Sequence, residues 1–165
     1  MIPPTKSKYK SMAGRYKLNN PSKYTGKQLP IFKSKLEAKL MLYLDMNPNV
    51  VSWSYEPFAI GYFDPTAKRN RKYFIDFVAE IKDNKGRVFK YWIEAKYKGE
   101  AKKPGKSYKN INRALENTKL YMTNSAKWSA AKAMARRQGA EFIIITEDFF
   151  SNKTVRAAKK WVQQN

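Results

Sequence analysis

Two apolar runs of β type, Tyr73–Ile81 and Arg87–Tyr97, flank the tetrapeptide Asp83-Asn84-Lys85-Gly86, and each carries a carboxylate in its interior. Turn residues of that kind close hairpins, so the spacing predicts two antiparallel strands side by side. Asp76 sits within Tyr73-Phe74-Ile75-Asp76-Phe77-Val78, and Glu94 within Val88-Phe89-Lys90-Tyr91-Trp92-Ile93-Glu94-Ala95-Lys96. A carboxylate embedded in a β-run is costly to desolvate unless it is paired or bound to a cation. Two of them on paired strands are placed to share one divalent ion. Glu94 and Lys96 are two residues apart and so share one face of a strand. An ammonium there can orient a water or neutralise a phosphoryl oxygen. Asp76 and Glu94 are therefore candidate ligands for Mg²⁺, which polarises a phosphate and lowers the pKa of its bound water. The structural alternative is a buried salt bridge between Asp76 and Lys96.

Composition narrows the chemistry further. The chain contains no cysteine and no histidine, which removes thiolate chemistry, Ser-His and Cys-His catalysis and His-ligated zinc. What remains is carboxylates, Lys, Tyr or a hard metal such as Mg²⁺, with Mn²⁺ able to substitute. Lys and Arg number 34 against 13 Asp and Glu, a net charge of +21, and a field of that sign attracts a polyanion through counterion release. Ribosomal RNA, an acidic protein or a membrane surface would also suit the charge, but nucleic acid is the expected partner. No apolar run approaches the roughly 20 residues of a membrane span, and no signal-peptide pattern opens the sequence. The expected location is the cytosol, without a membrane partner.

At 165 residues the chain suits a single domain with a tail. Residues 1–30 read as a basic N-terminal arm: Lys6, Lys8, Lys10, Arg15, Lys17, Lys23 and Lys27 occur there with no acidic residue, and prolines interrupt any long helix. Such a segment is either a solubilising tail or an arm along a phosphate backbone; the interleaved Tyr9, Tyr16 and Tyr24 favour the second. The domain proper then spans 31–165. Ser34 can cap a helix beginning near Lys35, with Glu37 at the capping-box position, and Leu36, Leu40 and Leu44 form its apolar stripe up to Asn47-Pro48. Val50 to Phe63 is β-rich. A loop with Lys68, Arg69, Arg71 and Lys72 leads into the hairpin. A second Lys-rich loop, with Lys98, Lys102, Lys103, Lys106 and Lys109, precedes a helix from about Ile111 to Gln138, stopped by Gly139. Phe142–Thr146 reads as a buried strand, and a last helix is expected over about 148–162. The order is α-β-β-β-α-β-α, a mixed α/β fold.

Glu-x-Lys also occurs at Glu37–Lys39, Glu80–Lys82 and Glu100–Lys102, so the tripeptide alone carries no weight. The first lies on a helix, where i and i+2 face apart; the second runs into a turn and the third into a loop. Only 94–96 follows a long apolar strand beside a partner strand with its own acid. A rival site, Asp64 with Glu80 and Lys82, has both ends in turns.

An acid on a first helix, then Asp, then Glu-x-Lys on hairpin strands resembles the PD-(D/E)XK nuclease superfamily, whose restriction-endonuclease-like core is αβββαβ. The resemblance implies that Glu37 completes or supports the metal site formed by Asp76 and Glu94, with Lys96 as the catalytic lysine. Ile75 stands where that family's motif usually has proline. Within the superfamily the sequence is similar to phage head-completion nucleases, relatives of the TnsA endonuclease. The similarity is carried by Gly14-Arg15-Tyr16-Lys17, Asn20-Pro21-Ser22-Lys23-Tyr24, Ser34-Lys35-Leu36-Glu37, Tyr43-Leu44-Asp45, Val51-Ser52-Trp53, Tyr55-Glu56-Pro57 and Asn124-Ser125-Ala126-Lys127-Trp128. It implies a Mg²⁺-dependent DNA endonuclease acting late in virion assembly, in the host cytoplasm or on the virion, with capsid or portal proteins as further partners. Candidate phosphate contacts are Arg15, Lys17, Lys68, Arg69, Arg71, Lys72, Lys98, Lys102, Lys103, Lys106 and Lys127. Glu56 is either a further ligand or a surface acid. The alternative function is a DNA-binding structural virion protein that cuts nothing; an RNA-binding protein of ribosomal type has no need of a buried carboxylate pair.

Overall fold

The computed structural model describes residues 12–105 and 110–151. Its first long element is helix α1, Lys35–Met46, which follows two short strands, β1 (Gly14–Arg15) and β2 (Ile31–Phe32). Ser34 caps α1 as expected: its hydroxyl accepts the Glu37 N–H at 3.1 Å, satisfying one of the orphan donors of the first turn. Leu36, Leu40, Met41 and Leu44 are buried on one face of the helix, each contributing about 1.5–3 kcal/mol of hydrophobic stabilisation.

That face lies on a four-stranded sheet of order β3-β6-β7-β8, built from β3 (Val50–Tyr55), β6 (Phe77–Lys82), β7 (Val88–Ala95) and β8 (Ala140–Ile145). The first three strands are antiparallel and β8 runs parallel to β7. Alternation along the strands serves two cores. Trp53, Phe77, Ala79, Ile93 and Ile145 pack with α1. Val78 and Trp92 pack on the opposite side with Ala131 and Ala135 of helix α3, Ile111–Arg137. A sheet covered on both faces needs apolar residues at successive positions, which is why β6 and the end of β7 read as continuous runs. Helix, three antiparallel strands, helix and parallel strand make the restriction-endonuclease-like core.

Several features differ from the sequence reading. The expected strand Tyr73–Ile81 is two strands in two sheets. Its first part is β5 (Arg69–Phe74), which pairs with β4 (Ala59–Asp64) in a separate hairpin; its second part is β6. The basic cluster at 68–72 is accordingly not a loop: Lys68 has φ 51° at the turn, and Arg69–Lys72 lie on β5. The β-rich run Val50–Phe63 divides likewise into β3 and β4, at Glu56, whose φ of 40° bends the chain. Finally, the backbone from 147 to 150 forms a 3₁₀ turn closed by extended Ser151, so no α-helix starts at Asp148; the rest of the expected C-terminal helix, residues 152–165, lies outside the described residues.

Residues 12–30 of the basic segment are built onto the domain. β1 pairs with β2, Thr25 N–H donates to the Trp53 carbonyl, and Tyr24 and Tyr16 meet the Trp53 ring edge-on with centroids 4.8 and 6.1 Å away. The fully buried Asp45 anchors the segment: it accepts the Tyr16 hydroxyl and the main-chain N–H groups of Asn19 and Asn20. These donors hold its carboxyl below the ordinary value against the opposing effect of burial. Residues 1–11, including Lys6, Lys8 and Lys10, lie outside the described residues.

Candidate active site

The site forms where the two sheets part. β5 ends at Phe74, β6 begins at Phe77, and between them Ile75 is fully buried while Asp76 turns into the gap. The Asp76 carbonyl accepts the Glu56 N–H at 2.9 Å, so the bend in one chain segment receives the break in the other. Phe77 faces Ile93 in the β6–β7 ladder; one more step of that register sets Asp76 across from Glu94. The side chain takes up a main-chain donor of the neighbouring strand: Ala95 N–H reaches Asp76 Oδ2 at 2.9 Å. Glu94 is 7% exposed, and its Oε2 accepts a short hydrogen bond from the hydroxyl of Tyr73.

Burial pushes the Asp76 carboxyl well above its ordinary value, and the charge of Glu94 pushes it further; the Ala95 N–H opposes both, and Glu37 adds a weaker like-charge effect. Burial and the charge of Glu94 also drive the Tyr73 phenol far up, so it remains a donor. Among the described residues neither Asp76 nor Glu94 has a cationic partner. Lys96 continues the β7–β8 pairing through its N–H to Ile145, and its ammonium lies 3.7 Å from Glu100 rather than on Asp76; the buried Asp76–Lys96 salt bridge does not form.

Glu37 is part of the helix cap. Its Oε2 accepts the Lys33 N–H at 2.7 Å and its Oε1 the Ser34 hydroxyl at 3.2 Å; burial raises its carboxyl above the ordinary range. Among the described residues no three acidic side chains are gathered closely enough to hold a metal, so the geometry rests on the pair Asp76–Glu94, with Glu37 acting on Asp76 through its charge. Glu56 is ion-paired to Lys33 at 2.6 Å. The rival set separates: Asp64 is 1% exposed and closes the β4–β5 turn by accepting the N–H groups of Thr66 and Ala67 and the guanidinium of Arg71, whereas Glu80, on β6 in the other sheet, accepts from Ser52.

The cationic candidates lie on several elements. Arg15 and Lys17 are exposed on and after β1, and Lys68, Arg69 and Lys72 are exposed on the β4–β5 hairpin. Arg71 is tied to Asp64 at 3.3 Å. Lys98, which the sequence placed in a loop, opens a short helix α2, Lys98–Ala101, and pairs with Asp148; Lys102 and Lys103 follow, exposed, and Lys106 lies outside the described residues. Lys127, on α3, is half-buried, with its ammonium 5.7 and 5.9 Å from the ring centroids of Tyr73 and Tyr62.

Sequence reasoning missed Tyr73 and Lys33. Tyr73 passed for one more apolar residue of a β-run, although a buried phenol ordinarily requires a hydrogen-bond partner and the acids nearby in such a fold are the obvious acceptors. Lys33 precedes the cap and carries no pattern of its own.

Two close carboxyls, each with one oxygen engaged by a neutral donor and, among the described residues, without a cationic partner, suit a hard divalent cation. Oxygen ligands of this type match Mg²⁺ or Mn²⁺. The helix–strand core that carries this pair has the restriction-endonuclease-like fold. The family model for the TnsA-like endonuclease N-terminal domain matches residues 47–147, which include Asp76, Glu94 and Lys96, and the chain belongs to this family. It is also similar to the head completion nuclease of Enterobacteria phage T4, with 33% identity over 141 residues, covering 82% of this chain and 91% of that protein. No solved structure matches the chain.

Proposed function

We propose that the protein is a Mg²⁺-dependent DNA endonuclease that processes DNA ends during completion of a phage head. The observation that carries the reading is the buried pair Asp76–Glu94 at a strand break, without a cationic partner among the described residues, with Lys96 just past the end of β7. Asp76 and Glu94 would hold the cation, with Mn²⁺ able to replace Mg²⁺; when bound, it supplies polarisation of the scissile phosphate and a lowered pKa for the attacking water. Lys96, here paired with Glu100, would supply an ammonium that stabilises charge developing on the phosphoryl oxygens, an electrostatic role of the kind worth roughly 10²–10³ in rate. Glu37, whose charge reaches Asp76, would support the metal site from the helix side. Exposed Lys68, Arg69 and Lys72 on the β4–β5 hairpin, and Lys102 and Lys103 after α2, bind the DNA backbone, a contact that positions without reading sequence. The likeness to the phage head completion nuclease supports the place in virion assembly, with capsid or portal proteins as neighbours.

The test is cleavage of supercoiled and linear plasmid in Mg²⁺ by wild type, Glu94→Ala and Lys96→Ala, with gel retardation in Ca²⁺ as the binding control. Wild type cuts, and both variants bind without cutting. Tight binding with no cutting by wild type, in Mg²⁺ or Mn²⁺ and on duplex or branched DNA, would instead identify a structural DNA-binding component of the virion.

A further inference from the structure

Tyr73 lies on β5, outside the sheet that carries Glu94, yet its hydroxyl crosses to Glu94 Oε2. Its ring is 7% exposed and lies within cation–π range of Lys127 on α3. Its cross-strand partner in the β4–β5 ladder is Ile60, itself buried. The phenol is thus held from three elements and has little freedom to leave the carboxylate. On the other ligand, Asp76 Oδ2 is engaged by a main-chain N–H that cannot be withdrawn without opening β7. Each acid therefore has one oxygen engaged by a neutral donor, leaving the other side to its partner carboxyl, with which it lies within hydrogen-bond reach.

That division bears on which cation the site accepts. Mg²⁺ requires near-octahedral coordination, retains several waters, and takes one oxygen from each of one or two carboxylates. Ca²⁺ takes six to eight oxygens and readily uses both oxygens of a carboxylate. On the reading of Asp76 and Glu94 as metal ligands, we propose that Tyr73 is a positioning residue that restricts Glu94 to a single ligating oxygen and so biases the site toward Mg²⁺ and Mn²⁺ over Ca²⁺. Lys127 serves the same end by holding the ring. Neither residue touches the reacting phosphate in this role.

The experiment is calorimetric titration of the full chain with Mg²⁺, Mn²⁺ and Ca²⁺ in the absence of DNA, for wild type, Tyr73→Phe and Glu94→Asp. Tyr73→Phe removes the hydroxyl and frees Oε2; Glu94→Asp withdraws the carboxylate from the hydroxyl by one methylene. Both raise the ratio of Ca²⁺ to Mg²⁺ affinity by about 10-fold, within the range that outer hydrogen-bond partners of metal ligands exert. A merely structural role for the phenol would weaken all three ions alike and leave the ratio unmoved, and an unmoved ratio in both variants overturns the proposal. If wild type binds none of the three ions, the metal reading itself fails and the selectivity assigned to Tyr73 falls with it. The second variant retains the test should Tyr73→Phe unfold.

Discussion

Ala95 presents its main-chain N–H to Asp76 Oδ2 at 2.9 Å, one residue beyond the glutamate whose charge destabilises that same carboxylate. Asp76 is therefore held in place by one residue of β7 and repelled by its neighbour. Asp76→Asn keeps the acceptor for Ala95 and removes the repulsion. In metal-free buffer near neutral pH the melting temperature of Asp76→Asn rises by a few degrees, while Mg²⁺-dependent cleavage disappears. Thermal melts in EDTA beside plasmid assays read both outcomes, and a lower melting temperature would contradict the electrostatic account.

Asp45 makes the opposite case, a buried acid whose partners all stabilise its charged form. Asp45→Ala leaves the N–H groups of Asn19 and Asn20 and the Tyr16 hydroxyl without their acceptor. The expected loss is on the order of 3 kcal/mol, measured by urea unfolding. Limited proteolysis between residues 12 and 30 should accelerate in the same variant.

Asp64 ties acid stability to the β4–β5 hairpin. The Thr66 hydroxyl, followed by the Ala67 and Thr66 N–H groups, lowers its carboxyl from 3.8 to about 2. A depressed carboxylate contributes stability that is fully present above its unfolded value and is lost as pH falls through its folded one. Stability therefore declines between about pH 4 and pH 2, and in Asp64→Asn this part of the decline is absent. Unfolding by urea at a series of pH values in that window distinguishes the two.

The cations on the hairpin divide into two kinds. Arg69→Gln and Lys72→Gln remove exposed charges and should each reduce the salt slope of DNA binding by about 1, leaving the melting temperature unchanged. Arg71→Gln cuts the contact with Asp64 and lowers the melting temperature as well. Retardation assays from low to moderate salt, paired with melts, separate the groups; equal behaviour of all three would remove Arg71's structural role.

Much of the fold was legible because local signals agreed with tertiary need. Ser34 and Glu37 mark the start of α1, Gly139 follows the end of α3, and the hairpin of β6 and β7 follows from Asp83-Asn84-Lys85-Gly86. The pairing of Asp76 with Glu94 was legible for the same reason, since hairpin register places them opposite. The break at Ile75-Asp76 was not. Ile75 is as apolar as a strand residue should be, and its burial comes from the crossing of two sheets that no local pattern encodes. Tyr73 was hidden by the same error: within one continuous strand it reads as core, and only after the chain divides does its hydroxyl reach a carboxylate on another sheet.

The division of one β-run between two sheets has a mechanical consequence. Tyr73 and Asp76 lie at the base of the β4–β5 hairpin, and Lys68 and Arg69 lie at its far end. The hairpin thus joins its basic turn, over a few peptide units, to both carboxylates, to one through its own backbone and to the other through a phenolic hydroxyl.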